Sequence, residues 1–240
     1  MRGKIATAPA ALVTAMVATA CIPIAMPTPG LTSGALGGAP GQVALTFDDG
    51  PDPTWTPRVL DVLDRYGVKA TFFVLGSNAA RYPDLVREIV ARGHSLGNHT
   101  WSHPDLTRLS GGAVVDQLRS TSDVLAGIAN YEPSCARPPY RATNAAVQDI
   151  IASLGMRPAL WNVDTNDYQR PGAGVIARRA LAVRPDGVIL MHDGGGDRSQ
   201  TVAALPAVIE GIQARGWSLT KLCDSRNSAP PAAPAPAPTP

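Results

Sequence analysis

The chain of 240 residues is poor in charge, with 21 Lys and Arg against 19 Asp and Glu and a formal net charge of +2. No Lys/Arg cluster interleaves with aromatic residues, themselves only 5% of the chain. The electrostatic footprint of a nucleic-acid binder is therefore missing, and no nucleic-acid partner is expected. No internal repeat and no linker interrupts residues 41–224. With 45% of residues hydrophobic, the chain can bury one sizeable core and reads as a single domain. The metalloprotease pattern His-Glu-x-x-His is also absent, Thr100 standing where the glutamate would be.

Cysteine is scarce, with three in all, Cys21, Cys135 and Cys223. Cys21 lies within an amino-terminal segment in which Arg2 and Lys4 precede a run without charge, from 5 to 26. Residues 1–26 read as a secretory signal peptide, and 27–40 as a flexible start to the mature chain. Pro9, Pro23 and Pro27 argue against a permanent membrane anchor, so no stable membrane insertion is expected after cleavage. Ala18-Thr19-Ala20 is an Ala-x-Ala cleavage site that also weakly resembles a lipoprotein box, which keeps lipidation of Cys21 open. The expected location is secreted or at the cell surface. In an oxidising compartment Cys135 and Cys223 could pair, although two buried thiols fit the sequence as well. Residues 225–240 are almost wholly Pro and Ala past Ser228, and read as a disordered tail.

What is present is an alternation of strand-like and helix-like segments. Short apolar runs lie at 43–47, 71–75, 95–98, 159–163, 188–191 and 217–222. Helical spacing of apolar residues falls between them at 58–66, 82–91, 114–128, 145–154, 175–183 and 202–212, the last interrupted by Pro206. Strand followed by helix, repeated, predicts an α/β fold with a parallel sheet, most simply a barrel.

Polar clusters sit where those strands should end. Asp48 and Asp49 follow the first strand and precede a Gly50-Pro51 turn; an Asx turn or helix cap would use the same residues. His99 and His103 are four apart, and if the chain turns helical after Asn98 both imidazoles reach one metal ion. With a carboxylate from the Asp48–Asp49 pair this gives a set of two histidines and one carboxylate, with positions left open. His94 is out of register with the pair and reads as structural. Arg137 to Tyr140, Trp161 to Tyr168 and Leu190 to Asp193 complete the set. Five clusters at strand ends would converge on one mouth of a barrel.

In this order the clusters resemble the NodB-homology polysaccharide deacetylases of carbohydrate esterase family four, over residues 42–221. The motifs are 46–51, 99–103, 137–140, 164–168 and 190–192. The resemblance implies a distorted (β/α) barrel of the NodB-homology type, a divalent metal and the removal of acetyl groups from N- or O-acetylated glycans. It makes Asp49, His99 and His103 the metal ligands, Asp48 the general base and His192 the acid. The backbone N–H of Tyr140 would help to hold the oxyanion, and Arg137 would orient Asp48. Asp164 or Asp167 would hold Arg137 or His192, Asp164 being counted with the catalytic residues. Pro138, Tyr140, Asp167, Tyr168 and Leu190 are the expected substrate contacts, Leu190 beside the acetyl methyl.

Two departures from the family pattern stand out. Tyr168 replaces a common tryptophan, and Arg141 replaces a common glycine and adds a cation at the groove mouth, which would suit acidic or peptide-bearing glycans. Zinc is the first expectation for the metal, with cobalt, nickel and manganese suited to the same ligands. The expected protein is a monomer acting on peptidoglycan or chitooligosaccharide. The alternatives are an O-acetylxylan esterase on the same machinery and a catalytically silent glycan-binding module. A silent relative would be expected to have lost the base, a ligand or the terminal histidine, and all are present here.

Overall fold

A computed structural model describes residues 41–226. The expectations for the signal segment, for Cys21, for 27–40 and for nearly all of the tail lie outside these residues. Eight strands and seven α-helices follow one another as β1 (Gln42–Asp48), α1 (Thr56–Arg65), β2 (Thr71–Val74), α2 (Gly76–Arg81), α3 (Pro83–Ala91), β3 (Ser95–Asn98), α4 (Gly111–Ala129), β4 (Cys135–Ala136), α5 (Ala145–Ser153), β5 (Arg157–Pro158), β6 (Val163–Asp164), α6 (Ala173–Ala180), β7 (Gly187–His192), α7 (Ser199–Gln213) and β8 (Ser218–Thr220). The helices start where local chemistry allows. Ser110 accepts from Ala113 N–H ahead of α4, Asn144 accepts from Val147 N–H ahead of α5, and proline occupies the first turn of α1 and α3. α7 runs through Pro206 as one helix.

All strand pairs are parallel, in the order β5-β4-β3-β2-β1-β7-β6, with β8 beside the start of β1. The expected strand at 159–163 is not formed. Its place is taken by β5 and β6, which lie at opposite ends of the sheet and are joined directly by residues 159–162. Five Cα steps span at most about 18 Å, so the sheet must curl until its two edges nearly meet. This is the distorted (β/α) barrel: a curled parallel sheet, closed along one side by an extended crossing rather than by hydrogen bonds. Two elements escape the hydrophobic pattern. α2 offers a single buried apolar side chain, Ala79, and β4 is too short to show a period.

Period-two alternation sorts the strand residues. Val43, Leu45 and Phe47 of β1, Phe72 and Val74 of β2, and Ile189 and Met191 of β7 face the helices and form the main core, where Phe47 stacks on Phe72 at 5.1 Å. Ala44, Phe73 and Val188 face inward and pack with Trp161 and the Cys135–Cys223 disulfide, whose Cα atoms are 6.1 Å apart. The question left open by sequence is thus answered in favour of pairing. On the same inward face, one and two layers nearer the carboxyl ends, come Thr46 with Leu190 and Asp48 with His192, as the β1–β7 register pairs them. The barrel mouth is therefore lined by an acid and a histidine on adjacent strands.

Candidate active site

Beyond Asp48 the chain enters a sharp turn, Asp49 at φ 71° followed by a cis Gly50–Pro51 bond. Asn78 donates to the Asp49 carbonyl (2.9 Å) and Leu75 N–H to that of Gly50 (3.0 Å). The loop after β3 is equally constrained, and here an expectation is corrected: residues 99–103 are not helical. Thr100 and His103 adopt left-handed backbone (φ 70° and 63°). Asn98 Oδ1 accepts from Thr100 N–H, Thr100 Oγ1 from His103 N–H, and Gln117 Oε1 from the N–H groups of Trp101 and Ser102. These local bonds compete with helix formation and bring the two imidazoles to 4.9 Å by a compact loop instead. His94 lies at the other end of β3, where its Nδ1 accepts from Ala70 N–H (3.1 Å) and burial pulls its pKa down to about 4.

Asp49, His99 and His103 each turn one ligand atom into a common space, all within 4.8 Å of one another. Asp49 Oδ1 is 3.4 Å from His99 Nε2 and 3.3 Å from His103 Nε2. It is buried and has no hydrogen-bond partner among the described residues, the condition of a group built to receive a cation. His99 Nδ1–H donates to the Arg137 carbonyl (2.7 Å), which leaves the Nε2 lone pair facing Asp49. Burial would raise the Asp49 pKa, but the histidines around it, His99 first and then His192 and His103, carry it down to about 2; burial and His99 lower that of His103. A charged carboxylate is the form that binds a divalent metal, and with one nitrogen of each imidazole turned into the same space the residues fit such an ion.

Asp48 stands beside this set with Oδ2 3.7 Å from His99 Nε2. Its Oδ1 is held by Arg137 Nη1 at 2.6 Å. Arg137 is fully buried; it also donates to Thr46 Oγ1 and the Ala159 carbonyl (2.9 Å each) and lies 3.9 Å over the Phe73 ring. One Asp48 oxygen is thus fixed and the other faces the metal space. Opposite, His192 Nδ1–H donates to Asp167 Oδ1 (2.7 Å), and His192 N–H and Thr201 Oγ1–H donate to Asp167 Oδ2 (2.9 and 2.7 Å). Burial opposes the imidazolium, yet the Asp167 hydrogen bond and charge, with Asp48 and Asp49 beyond, hold the His192 pKa above its ordinary value. Burial likewise opposes the charge on Asp167, and the bonds from His192 and Thr201 prevail and lower its pKa.

Residues 37–159 match the sequence model of the polysaccharide deacetylase family, a stretch that carries Asp48, Asp49, His99, His103, Arg137 and Tyr140. The chain belongs to this family. It is 39% identical over 193 residues to the chitooligosaccharide deacetylase of Rhizobium leguminosarum bv. trifolii, covering 75% of this chain and 90% of that protein. It is 38% identical over 182 residues to the peptidoglycan-N-acetylglucosamine deacetylase PgdA of Listeria monocytogenes, again over 75% of this chain but only 38% of that longer protein. The Bc1960 peptidoglycan N-acetylglucosamine deacetylase, solved with a naphthalenyl N-oxidanyl-benzamide bound, superimposes with a TM-score of 0.74 at 37% identity, over 76% of this chain and 86% of that one. As a polysaccharide deacetylase the chain is a hydrolase.

The remaining site expectations fall around the deacetylase pocket, a cleft of about 500 Å³ walled by Pro138, Tyr140, Trp161, Asp164, Tyr168 and Leu190 above the ligand set. Tyr140, with left-handed backbone (φ 57°), is 69% exposed and packs edge-on to His103 at 4.6 Å; Tyr168 is 49% exposed and lies 5.7 Å from His192. These two exposed rings flank the opening. Arg141 Nη1 donates to the Trp161 carbonyl at 3.3 Å. Sequence left open which acid of the fourth motif holds His192, and the structure gives that place to Asp167, which is buried with its carboxylate taken up by His192 and Thr201 and so lies away from the substrate contact also expected of it. Asp164, counted with the catalytic residues, lines the cleft and accepts from Asn166 N–H (2.8 Å). The physical reason is the left-handed Asn166 and the short 3-10 turn after it, which swing Asp167 inward.

Sequence reasoning gave no role to Thr201 or Asp193. Asp193 is fully buried, and burial pushes its carboxyl up to about 7 against the opposing hydrogen bond from Thr56. The one available signal was the Gly194-Gly195-Gly196 run after it, which marks a close backbone approach.

Proposed function

We propose that this chain is a secreted, metal-dependent deacetylase that removes acetyl groups from N-acetylated glycans of the peptidoglycan or chitooligosaccharide type, with zinc as its metal. The observation that carries the reading is the buried, unpartnered Asp49 Oδ1 set between two histidine nitrogens, with the second oxygen of Asp48 beside it. A divalent ion held by Asp49, His99 and His103 would supply Lewis acidity and draw the pKa of a neighbouring water towards about 7. Asp48 Oδ2 would take a proton from the attacking water as the water oxygen adds to the acetyl carbonyl carbon. The backbone N–H of Tyr140 donates to the oxyanion. His192 delivers its Nε2 proton to the glycan nitrogen as the C–N bond breaks, releasing acetate and a free amine. The names of the relatives support the N-acetyl reading, and the charge-free run after Lys4 supports export.

Acetate release from chitooligosaccharide, peptidoglycan and acetylxylan, with and without a chelator, tests it. Release from the N-acetylated glycans, abolished by chelation and restored by zinc, is expected. Chelator-insensitive release overturns the metal reading. Release from acetylxylan alone assigns an O-acetyl esterase, and binding without release a silent module.

The acid role of His192 has a pH signature. Its pKa is raised in the fold, so the active imidazolium is complete below the ordinary value near 6.5 and is lost as pH rises through the raised one. Asp167→Asn removes the nearest charge that raises it, while burial and the more distant Asp48 and Asp49 remain. The alkaline limb of kcat against pH should move down, with kcat at neutral pH falling on the order of 10²-fold. An unmoved limb would assign it to another group.

A further inference from the structure

Asp193 touches neither the metal space nor the cleft, yet it is buried against the turn that carries the proposed metal ligand. Its N–H donates to the Asp48 carbonyl (3.1 Å), extending the β1–β7 ladder one residue past His192. Its carboxylate lies under Gly50, where an added Cβ would come within 2.3 and 2.5 Å of the two oxygens. A Cβ on Gly194 would come within 2.1 Å of the Asp49 carbonyl oxygen and 2.7 Å of Gly50 N. The Asp193–Gly194 segment therefore lies directly against the Asp49–Gly50 backbone. Two anchors hold it there. Thr56 Oγ1–H donates to Asp193 Oδ2 (2.5 Å), and the same hydroxyl accepts from Asp52 N–H (2.8 Å), tying β7 to the far side of the turn and the first residue of α1. Arg198 Nε donates to the Gly194 carbonyl (2.6 Å) from behind.

We infer that Asp193 and Thr56 are positioning residues: bridged through the Thr56 hydroxyl, they clamp the turn from Asp48 to Asp52 and set the direction in which Asp49 presents its ligand oxygen. Asp49 has left-handed backbone, a conformation that costs energy for a residue with a side chain and persists only where its surroundings hold it. Ligand orientation by groups that never touch the metal is worth about 10- to 100-fold in metal affinity. The inference rests on the metal centre proposed above.

The test is zinc affinity of the apo protein, by competition with a chelating dye, together with steady-state acetate release at saturating zinc. Thr56→Val and Asp193→Ala are expected to weaken zinc binding about 10- to 100-fold and to lower kcat with little change in KM for the glycan. Thr56→Ser, which keeps the hydroxyl, should bind zinc like the wild type, which a general packing role would not produce. If Asp193→Ala fails to fold, Thr56→Val decides. Affinities within threefold of a tightly binding wild type, in both variants or in Thr56→Val alone, overturn this inference and leave the metal centre standing. A wild type that binds no zinc overturns the metal centre and this inference with it.

Discussion

Asp48→Asn is expected to reduce acetate release by roughly 10²- to 10⁴-fold while zinc stays bound, the range typical of losing a positioned general base. The two adjacent acids make this a sharp comparison. Asp49 Oδ1 has no partner other than the histidine nitrogens around it, whereas Asp48 Oδ1 is occupied by Arg137 at 2.6 Å and only Oδ2 faces the metal space. Asn at 48 keeps the shape and an oxygen for Arg137 but can no longer take up a proton at neutral pH. Asn at 49 instead removes the negative charge from the proposed metal centre. Zinc titration of the folded variants separates the two: Asp48→Asn should retain zinc and lose turnover, and Asp49→Asn should lose zinc first. Turnover near wild type in Asp48→Asn would remove it from the chemistry.

The second large effect concerns stability. Replacing Arg137 by Met should destabilise the fold by about 3–5 kcal/mol, because it leaves the Asp48 carboxylate buried without its counter-charge. The guanidinium is wholly inside the barrel, where burial lowers its pKa and the charge and hydrogen bond of Asp48 oppose that loss. It also holds Thr46 and the Ala159 carbonyl, so it fastens the extended crossing at 159–162 to β1. Denaturant unfolding of Arg137→Met, Asp48→Asn and the double variant gives the coupling. The expected result is strong non-additivity, the double variant costing clearly less than the two single losses added together. Additive losses would show that the ion pair is not what makes either residue costly to remove. Asp48→Asn must accordingly be assayed below its own unfolding transition, since it strands the same arginine.

Much of this site is local and was readable as sequence. The apolar run 43–47 followed by two acids, the His99–His103 spacing and the order of the five motifs announce a family and a candidate ligand set, because each is a pattern within a few residues. Strand and helix positions follow for the same reason: alternation and helical spacing report which face of an element meets the core. Where a segment is too short to show a period, as at β4 and α2, or changes neighbours midway, as from β5 to β6, the pattern carries no signal.

What the sequence determined by itself was therefore the chemistry available and the strand ends that would carry it. The tertiary structure decided how that chemistry is shared out. It turned the histidine pair into a loop of left-handed residues rather than a helix, and it gave Asp167 rather than Asp164 to His192. It also paired Cys135 with Cys223 and set Asp193 beneath the Asp49 turn. The last three depend on contacts between segments distant in the chain, and the first needs Gln117 of α4 to close a loop that Asn98 and Thr100 begin. No local pattern encodes such contacts, since they exist only once the sheet has curled and brought its edges close.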